Sequence, residues 1–379
     1  MKIVDVIAFP TTFELAPDER VTLGVGTAIK RDAVVVKVLT DDGLVGYGEA
    51  HHGRAPGAVA HLVSTTIRGL VLGSDPLDVV GIWQTVYRRQ LASHGMGAAA
   101  SMALSGVDMA LWDIRGKAAG MPLCVLLGGR PKPVPAYAGG IALGFQPVED
   151  LLAEVDPLLS TGFRALKLRV GDRPSADIAR VAGVRESVGD GIDVLTDANT
   201  GYDLADVRAV APHFEAAGVG WLEEPFPPHD HRSYRAAAEL TSVPLAAGEN
   251  HFTRFEFHRV VEDRAVSILQ PDLSKTGGVT EVMRIAAMAS AWKVPVHPHT
   301  SMTGLNMAAT VHVLAAIDNG GYFEADVSRR NPFRDELVST PYEVSGDGTV
   351  TPRIEPGLGV EVDEDFLRAH PLIDGPSYV

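Results

Sequence analysis

The chain has a single cysteine, Cys124. No intramolecular disulfide can form, and a thiolate-built zinc or iron–sulfur centre is not expected. Basic residues are also scarce: 33 Lys and Arg stand against 48 Asp and Glu, for a net charge of −15. Such a surface repels a phosphate backbone, so no nucleic-acid partner is expected. Long apolar runs are missing too. Met1-Lys2-Ile3-Val4-Asp5 has no basic stretch leading into an apolar core, and no later stretch stays uncharged long enough to span a bilayer. A cytoplasmic protein without a membrane partner is expected. No Gly-x-Gly-x-x-Gly follows a first strand, which removes the usual cradle for dinucleotide phosphates and argues against a nucleotide-dependent oxidoreductase or kinase. Gly277-Gly278 instead reads as the opening of a helix, with backbone donors able to hold a small anion.

What is present is ample apolar material. At 379 residues and 46% hydrophobic content the chain can bury a sizeable core in more than one domain. Alternation around Ile3-Val4-Asp5-Val6 and Ala33 to Val38, with hairpin chemistry at Asp41-Asp42-Gly43, predicts an antiparallel meander. From about Ala58 to Ala119 the apolar spacing becomes helical, and the Met102 to Trp112 stripe reads as core. The glycines and prolines of Leu126 to Pro133 mark a boundary.

Beyond that boundary short apolar runs end in polar residues near Tyr137, Lys167, Asp197, Glu223, Glu249, Asp272, His299 and Glu324, at intervals of 23 to 30 residues. This is the length of one strand–helix unit, and eight such ends fit a closed parallel barrel better than a doubly wound open sheet. In a barrel all strand carboxyl ends face one mouth, so Asp197, Glu223 and Glu249 converge. Three carboxylates in one pocket repel each other, and a hard divalent cation, magnesium first and manganese second, is the simplest compensation. Lys167 and Arg169 bring cations to one side of the ring, while Asp272 and His299 close the other. A histidine oriented by a carboxylate is the usual general base near neutral pH.

Thr196-Asp197-Ala198-Asn199, Trp221-Leu222-Glu223-Glu224-Pro225, Ala247-Gly248-Glu249-Asn250, Gln270-Pro271-Asp272-Leu273 with Gly277-Gly278-Val279-Thr280, and Pro295-Val296-His297-Pro298-His299 follow in this order and spacing. With these motifs the chain resembles the enolase superfamily and, within it, the mandelate racemase subgroup, over nearly its whole length. The resemblance implies an α/β fold: a modified (β/α)8 TIM barrel (126–325) with an N-terminal α+β capping domain (1–125), completed by a C-terminal segment (326–379). It implies magnesium on Asp197, Glu223 and Glu249, a catalytic dyad of His299 and Asp272, a substrate-carboxylate contact from Glu324, and a symmetric homo-oligomer, an octamer or smaller.

The shared chemistry is removal of the proton α to a carboxylate. A racemase needs a second base on the opposite face, which in this subgroup is often the second lysine of a Lys-x-Lys pair. Here that position is Arg169, a poor base and a good carboxylate clamp. The expected activity is therefore acid-sugar dehydration to a 2-keto-3-deoxy acid, with His299 serving as base and then acid, and Lys167 and Arg169 holding charge. A racemase, epimerase or lactone cycloisomerase is the alternative within the same chemistry, and a metabolite-binding relative without turnover is the alternative outside it. Asn199 and His51 are candidate substrate contacts. Glu224 is expected to face away in a structural ion pair, and His297 to be packed.

Overall fold

The computed structural model describes residues 1–300 and 302–379. The alternating segments at the start form three antiparallel strands, Ile3–Glu14, Lys30–Thr40 and Val45–Ala50, with the long middle strand between the other two. Gly43 takes a left-handed conformation at the turn between the second and third. The helix Ala98–Ala119 lies on this sheet, and most of the Met102 to Trp112 stripe is buried in it. Contact is closest at Gly46, where a Cβ would lie 2.1 Å from the carbonyl oxygen of Ala110. Only glycine lets the helix backbone approach so near.

The second body is the barrel. Its strands are Val134–Gly139, Ala165–Arg169, Asp193–Asp197, Val219–Glu223, Leu245–Ala247, Ile268–Leu269 and Phe323–Asp326. They pair in parallel, and the last returns to pair with the first, Phe323 opposite Ala136. At the place of a seventh strand, Val296 alone bridges Leu269 and Gly320. Pro295 and Pro298 lack the N–H groups that a ladder needs, so the chain there cannot extend the pairing. The barrel interior begins with an apolar layer of Tyr137, Ala165, Leu195, Trp221, Ala246 and Ile268. His297 packs edge-on against Trp221 with centroids 5.3 Å apart, and burial holds it neutral, at about 4. It is a packed histidine, as expected.

The tail joins both bodies. Thr349–Val350 pairs antiparallel with the first barrel strand, a contact absent from the sequence reading, and the chain then returns to the cap through bridges Thr11 to Pro371 and Ala28 to Tyr378. Among the described residues no helix is long and apolar enough to cross a membrane.

The helix Gly278–Ala291 follows the sixth barrel strand as expected, but its amino terminus offers no anion site. Asp108, from the cap helix, accepts the Thr280 N–H at 2.9 Å, and burial pushes this carboxyl up to about 7. Gly278 has φ +86°, and a Cβ there would lie 2.3 Å from Asp108 Oδ2. Gly278→Ala is expected to cost about 1–3 kcal/mol through the left-handed backbone alone. A denaturant midpoint unchanged from the parent would contradict this account of the joint.

Candidate active site

Strand alternation sends Lys167 and Arg169, two residues apart, into the barrel above the apolar layer. Lys167 is fully buried, with Nζ 2.9 Å from Glu223 Oε1, 2.9 Å from Glu324 Oε1 and 3.5 Å from Asp197 Oδ2. Burial opposes its charge, but Glu223 and Glu324 override this and hold the ammonium well above the ordinary lysine range. Lys167 is thereby a fixed charge. Arg169 donates from one terminal nitrogen to Asp197 Oδ2 and from the other to the Gly140 carbonyl.

The carboxylates expected to converge do come to this mouth. Asp197 also accepts from the Asn199 N–H at 2.8 Å. Glu223 Oε2 accepts from Trp221 Nε1 at 3.1 Å and Gln270 Nε2 at 2.7 Å. Glu249 is drawn to the opposite wall, with Oε2 2.8 Å from His299 Nε2 and Oε1 3.7 Å from Lys275 Nζ. Among the described residues no three His, Cys, Asp or Glu side chains stand close enough together to hold an ion as they are turned here. The donor set nonetheless suits a hard divalent cation: Asp197 and Glu223 are buried oxygen donors, and burial together with the charge of Asp197 pushes Glu223 up to about 7. Carboxylates here outnumber the cations facing them, and a bound divalent ion would relieve that imbalance.

His299 and Asp272 form the expected pair, with His299 Nδ1 2.7 Å from Asp272 Oδ2. The other oxygen of Asp272 is fixed by the Ser274 N–H at 2.7 Å, the Ser274 hydroxyl at 2.6 Å and Asn306 Nδ2 at 3.0 Å. Burial disfavours the imidazolium, but Glu249, Glu324 and the Asp272 hydrogen bond hold His299 at about 10. Nε2 is left as the ring atom that faces the cavity side, where Glu249 meets it.

Between the barrel mouth and the cap lies a cavity of about 470 Å³, within the range of small-molecule sites. Arg169, Asn199, Glu249, His299 and His51 line it. Lys167, Asp197, Glu223, Asp272 and Glu324 stand behind that lining. Glu324 is fully buried and accepts from Gly140 N–H at 3.1 Å and Thr300 N–H at 3.2 Å.

Glu224 departs from expectation. Among the described residues it makes no ion pair; it lines the cavity and accepts from Asn250 Nδ2 at 2.7 Å. The strand stops at Glu223, and Glu224 takes a left-handed backbone with φ 33° before Pro225, so simple alternation no longer sets its direction. Burial and the charge of Glu249 push its carboxyl well above the ordinary range.

Other lining residues escaped the sequence reading: Lys275, Asn250, Arg54 and Tyr378. Lys275 follows Asp272 by three residues, a helical offset in a stretch read as strand end. It is placed by the cap, whose Ser101 hydroxyl donates to the Lys275 carbonyl at 2.8 Å, while the His51 N–H donates to the Ser274 carbonyl at 3.0 Å. No local pattern in the sequence marks such a contact.

Comparison with known proteins agrees with this architecture. Residues 4–128 match the mandelate racemase / muconate lactonizing enzyme N-terminal domain, and residues 150–366 match the enolase C-terminal domain-like family. An arabinonate dehydratase of Saccharolobus solfataricus is 33% identical over 97% of this chain and 99% of its own. A D-galactarolactone cycloisomerase of Agrobacterium fabrum is 34% identical over 91% and 93%. Among solved structures, an enolase superfamily member from a Polaromonas species is 55% identical with a TM-score of 0.98, covering both chains completely. A racemase from Streptomyces coelicolor with bound magnesium is 32% identical with a TM-score of 0.89, over 98% of this chain and 100% of that one.

Proposed function

The chain belongs to the mandelate racemase / muconate lactonizing enzyme family of the enolase superfamily, and from that premise we propose that it dehydrates a sugar acid. The proton α to the carboxylate is removed, the β-hydroxyl leaves as water, and the resulting enol becomes a 2-keto-3-deoxy acid. The observation that carries this reading is the asymmetry of the cavity. His299, oriented by Asp272, is the base of this reading on one side once Glu249 leaves its Nε2, while Arg169 stands where a second base would serve racemisation.

In this reading Asp197, Glu223 and Glu249 hold a divalent metal, magnesium as in the racemase from S. coelicolor or manganese. When bound, the ion supplies positive charge at the substrate carboxylate, where negative charge gathers as the α-proton leaves. Glu249 engages His299 Nε2 and favours its charged form; were Glu249 turned to a bound ion, that nitrogen would lose this partner and could accept the α-proton. Asp272 keeps Nδ1 protonated and the ring fixed. The imidazolium then donates its proton to the departing hydroxyl. Arg169, anchored on Asp197 and the Gly140 carbonyl, clamps the acid end. Lys167 and Glu324, behind the lining, balance charge around the metal ligands rather than moving protons.

The cycloisomerase among the relatives, at 34% identity against 33% for the arabinonate dehydratase, keeps isomerisation as a second reading. Turnover in heavy water separates the two. A dehydratase yields a keto acid that a carbonyl reagent traps; an isomerase or racemase exchanges or inverts without one. If a broad panel of sugar acids gave α-proton exchange or ring opening but never a keto acid, dehydration would be the wrong reading.

A further inference from the structure

The cap end of the cavity carries a cluster of hydrogen-bond donors beside Leu23 and Val25. Arg54 lines it from a left-handed position at φ 58°, and its guanidinium lies over the Tyr378 ring, 5.1 Å from the centroid. Among the described residues, no carboxylate forms an ion pair with Arg54. Beside it, His51 and His52 stack with centroids 4.2 Å apart. The Gly53 N–H donates to His51 Nδ1 at 3.0 Å, and the Arg54 N–H donates to His52 Nδ1 at 3.0 Å. A neutral imidazole whose Nδ1 accepts must carry its proton on Nε2. Burial holds both rings neutral, His52 at about 4 and His51 well below its ordinary value. Each is therefore a fixed Nε2–H donor.

Tyr378 is equally fixed. The Ile29 N–H donates to the Ser377 carbonyl at 3.0 Å, the Ser377 hydroxyl donates to Asp32 Oδ2 at 2.6 Å, and Thr27 and Val379 exchange backbone hydrogen bonds at 2.8 and 3.0 Å. The buried phenol sits in the field of Arg31, Arg54 and Arg169, opposed by that of Glu249. Asp32, the nearest cap carboxylate in this network, is occupied by Thr12, Ser377 and Lys30 and does not line the cavity. Glu249 faces this group from the barrel side, where it pairs with His299 and Lys275. A guanidinium braced on an aromatic ring, imidazole N–H groups and a phenol match a ligand group that accepts hydrogen bonds and carries negative charge.

We propose that Arg54, His51 and Tyr378 form a distal subsite for a second carboxylate, so that the preferred substrates are sugar diacids rather than monoacids. This rests on the reading that the first carboxylate lies at the barrel end, between the metal ligands and Arg169. Arg54 lies on the exposed rim, so its replacement does not disturb the core. The test compares galactarate with galactonate, and glucarate with gluconate, on the magnesium-loaded enzyme. The better diacid is expected to exceed its monoacid in kcat/KM by about 10- to 100-fold, the range of a charge-assisted contact. Arg54→Gln is expected to erase most of that ratio through KM, and Arg54→Lys to recover part of it. A monoacid preference in the parent, or an equal loss for both acids in Arg54→Gln, overturns the subsite.

Failure of the chemistry is read separately. The same acids are followed for α-proton exchange and for keto acid, and diacid binding is titrated calorimetrically. Diacid binding that weakens in Arg54→Gln supports the subsite even if no keto acid forms. Diacid binding identical in parent and variant rejects it even if dehydration is found.

Discussion

Replacement of His299 by asparagine is expected to lower kcat on the identified sugar acid by about a thousand-fold, within the 10²–10⁴ range that a positioned general base contributes. Asparagine can still donate to Asp272, so the buried carboxylate with its Ser274 and Asn306 contacts keeps its partners. It cannot accept the α-proton. The loss is therefore expected in kcat rather than in KM, and α-proton exchange in heavy water should fall in parallel with turnover. A melting temperature close to the parent's would exclude unfolding as the cause. Full turnover in this variant would remove His299 and Asp272 from the mechanism, and with them the asymmetry on which dehydration rests.

Chelation of divalent metal should be more drastic still. In the structure Asp197 pairs with Arg169, Glu223 with Lys167, and Glu249 with His299. The last contact also occupies Nε2 of the proposed base. Turnover is expected to fall below detection after treatment with a chelator and to return with magnesium, and manganese should substitute. Binding should also stabilise the fold: a ligand at a hundred times its Kd contributes about 2.7 kcal/mol, visible as a raised melting temperature. Glu223→Gln should abolish most of that shift, because a neutral amide binds a hard cation weakly. Undiminished activity in thoroughly chelated enzyme would sink the metal assignment, whatever the carboxylates do.

The intervals between Tyr137, Lys167, Asp197, Glu223, Glu249, Asp272, His299 and Glu324 suffice to place them around one barrel mouth, because parallel strands joined by helices all end on the same side. Where the local rule was broken, the reading failed in ways that can be traced. Glu224 was assigned to the far face by alternation, yet the strand ends one residue earlier and a left-handed turn delivers it to the cavity. The Gly277-Gly278 helix start looked like an anion site until the cap supplied Asp108 to its amino terminus. His299 was read as a strand end, but two prolines leave only Val296 bridged, and its position is held by the bond to Asp272.

The sequence by itself determined the barrel, its α+β cap and the convergence of the carboxylates and of His299 and Asp272 on one mouth, because each depends on a period of two, of 3.6 or of one strand–helix unit. The tertiary structure alone decided which of them face the cavity and which stand behind, and it alone brought Arg54 and Tyr378 together. Those two residues meet across almost the whole chain. Their contact depends on the tail pairing with the cap at Ala28, and a pairing between such distant segments leaves no periodic trace in either.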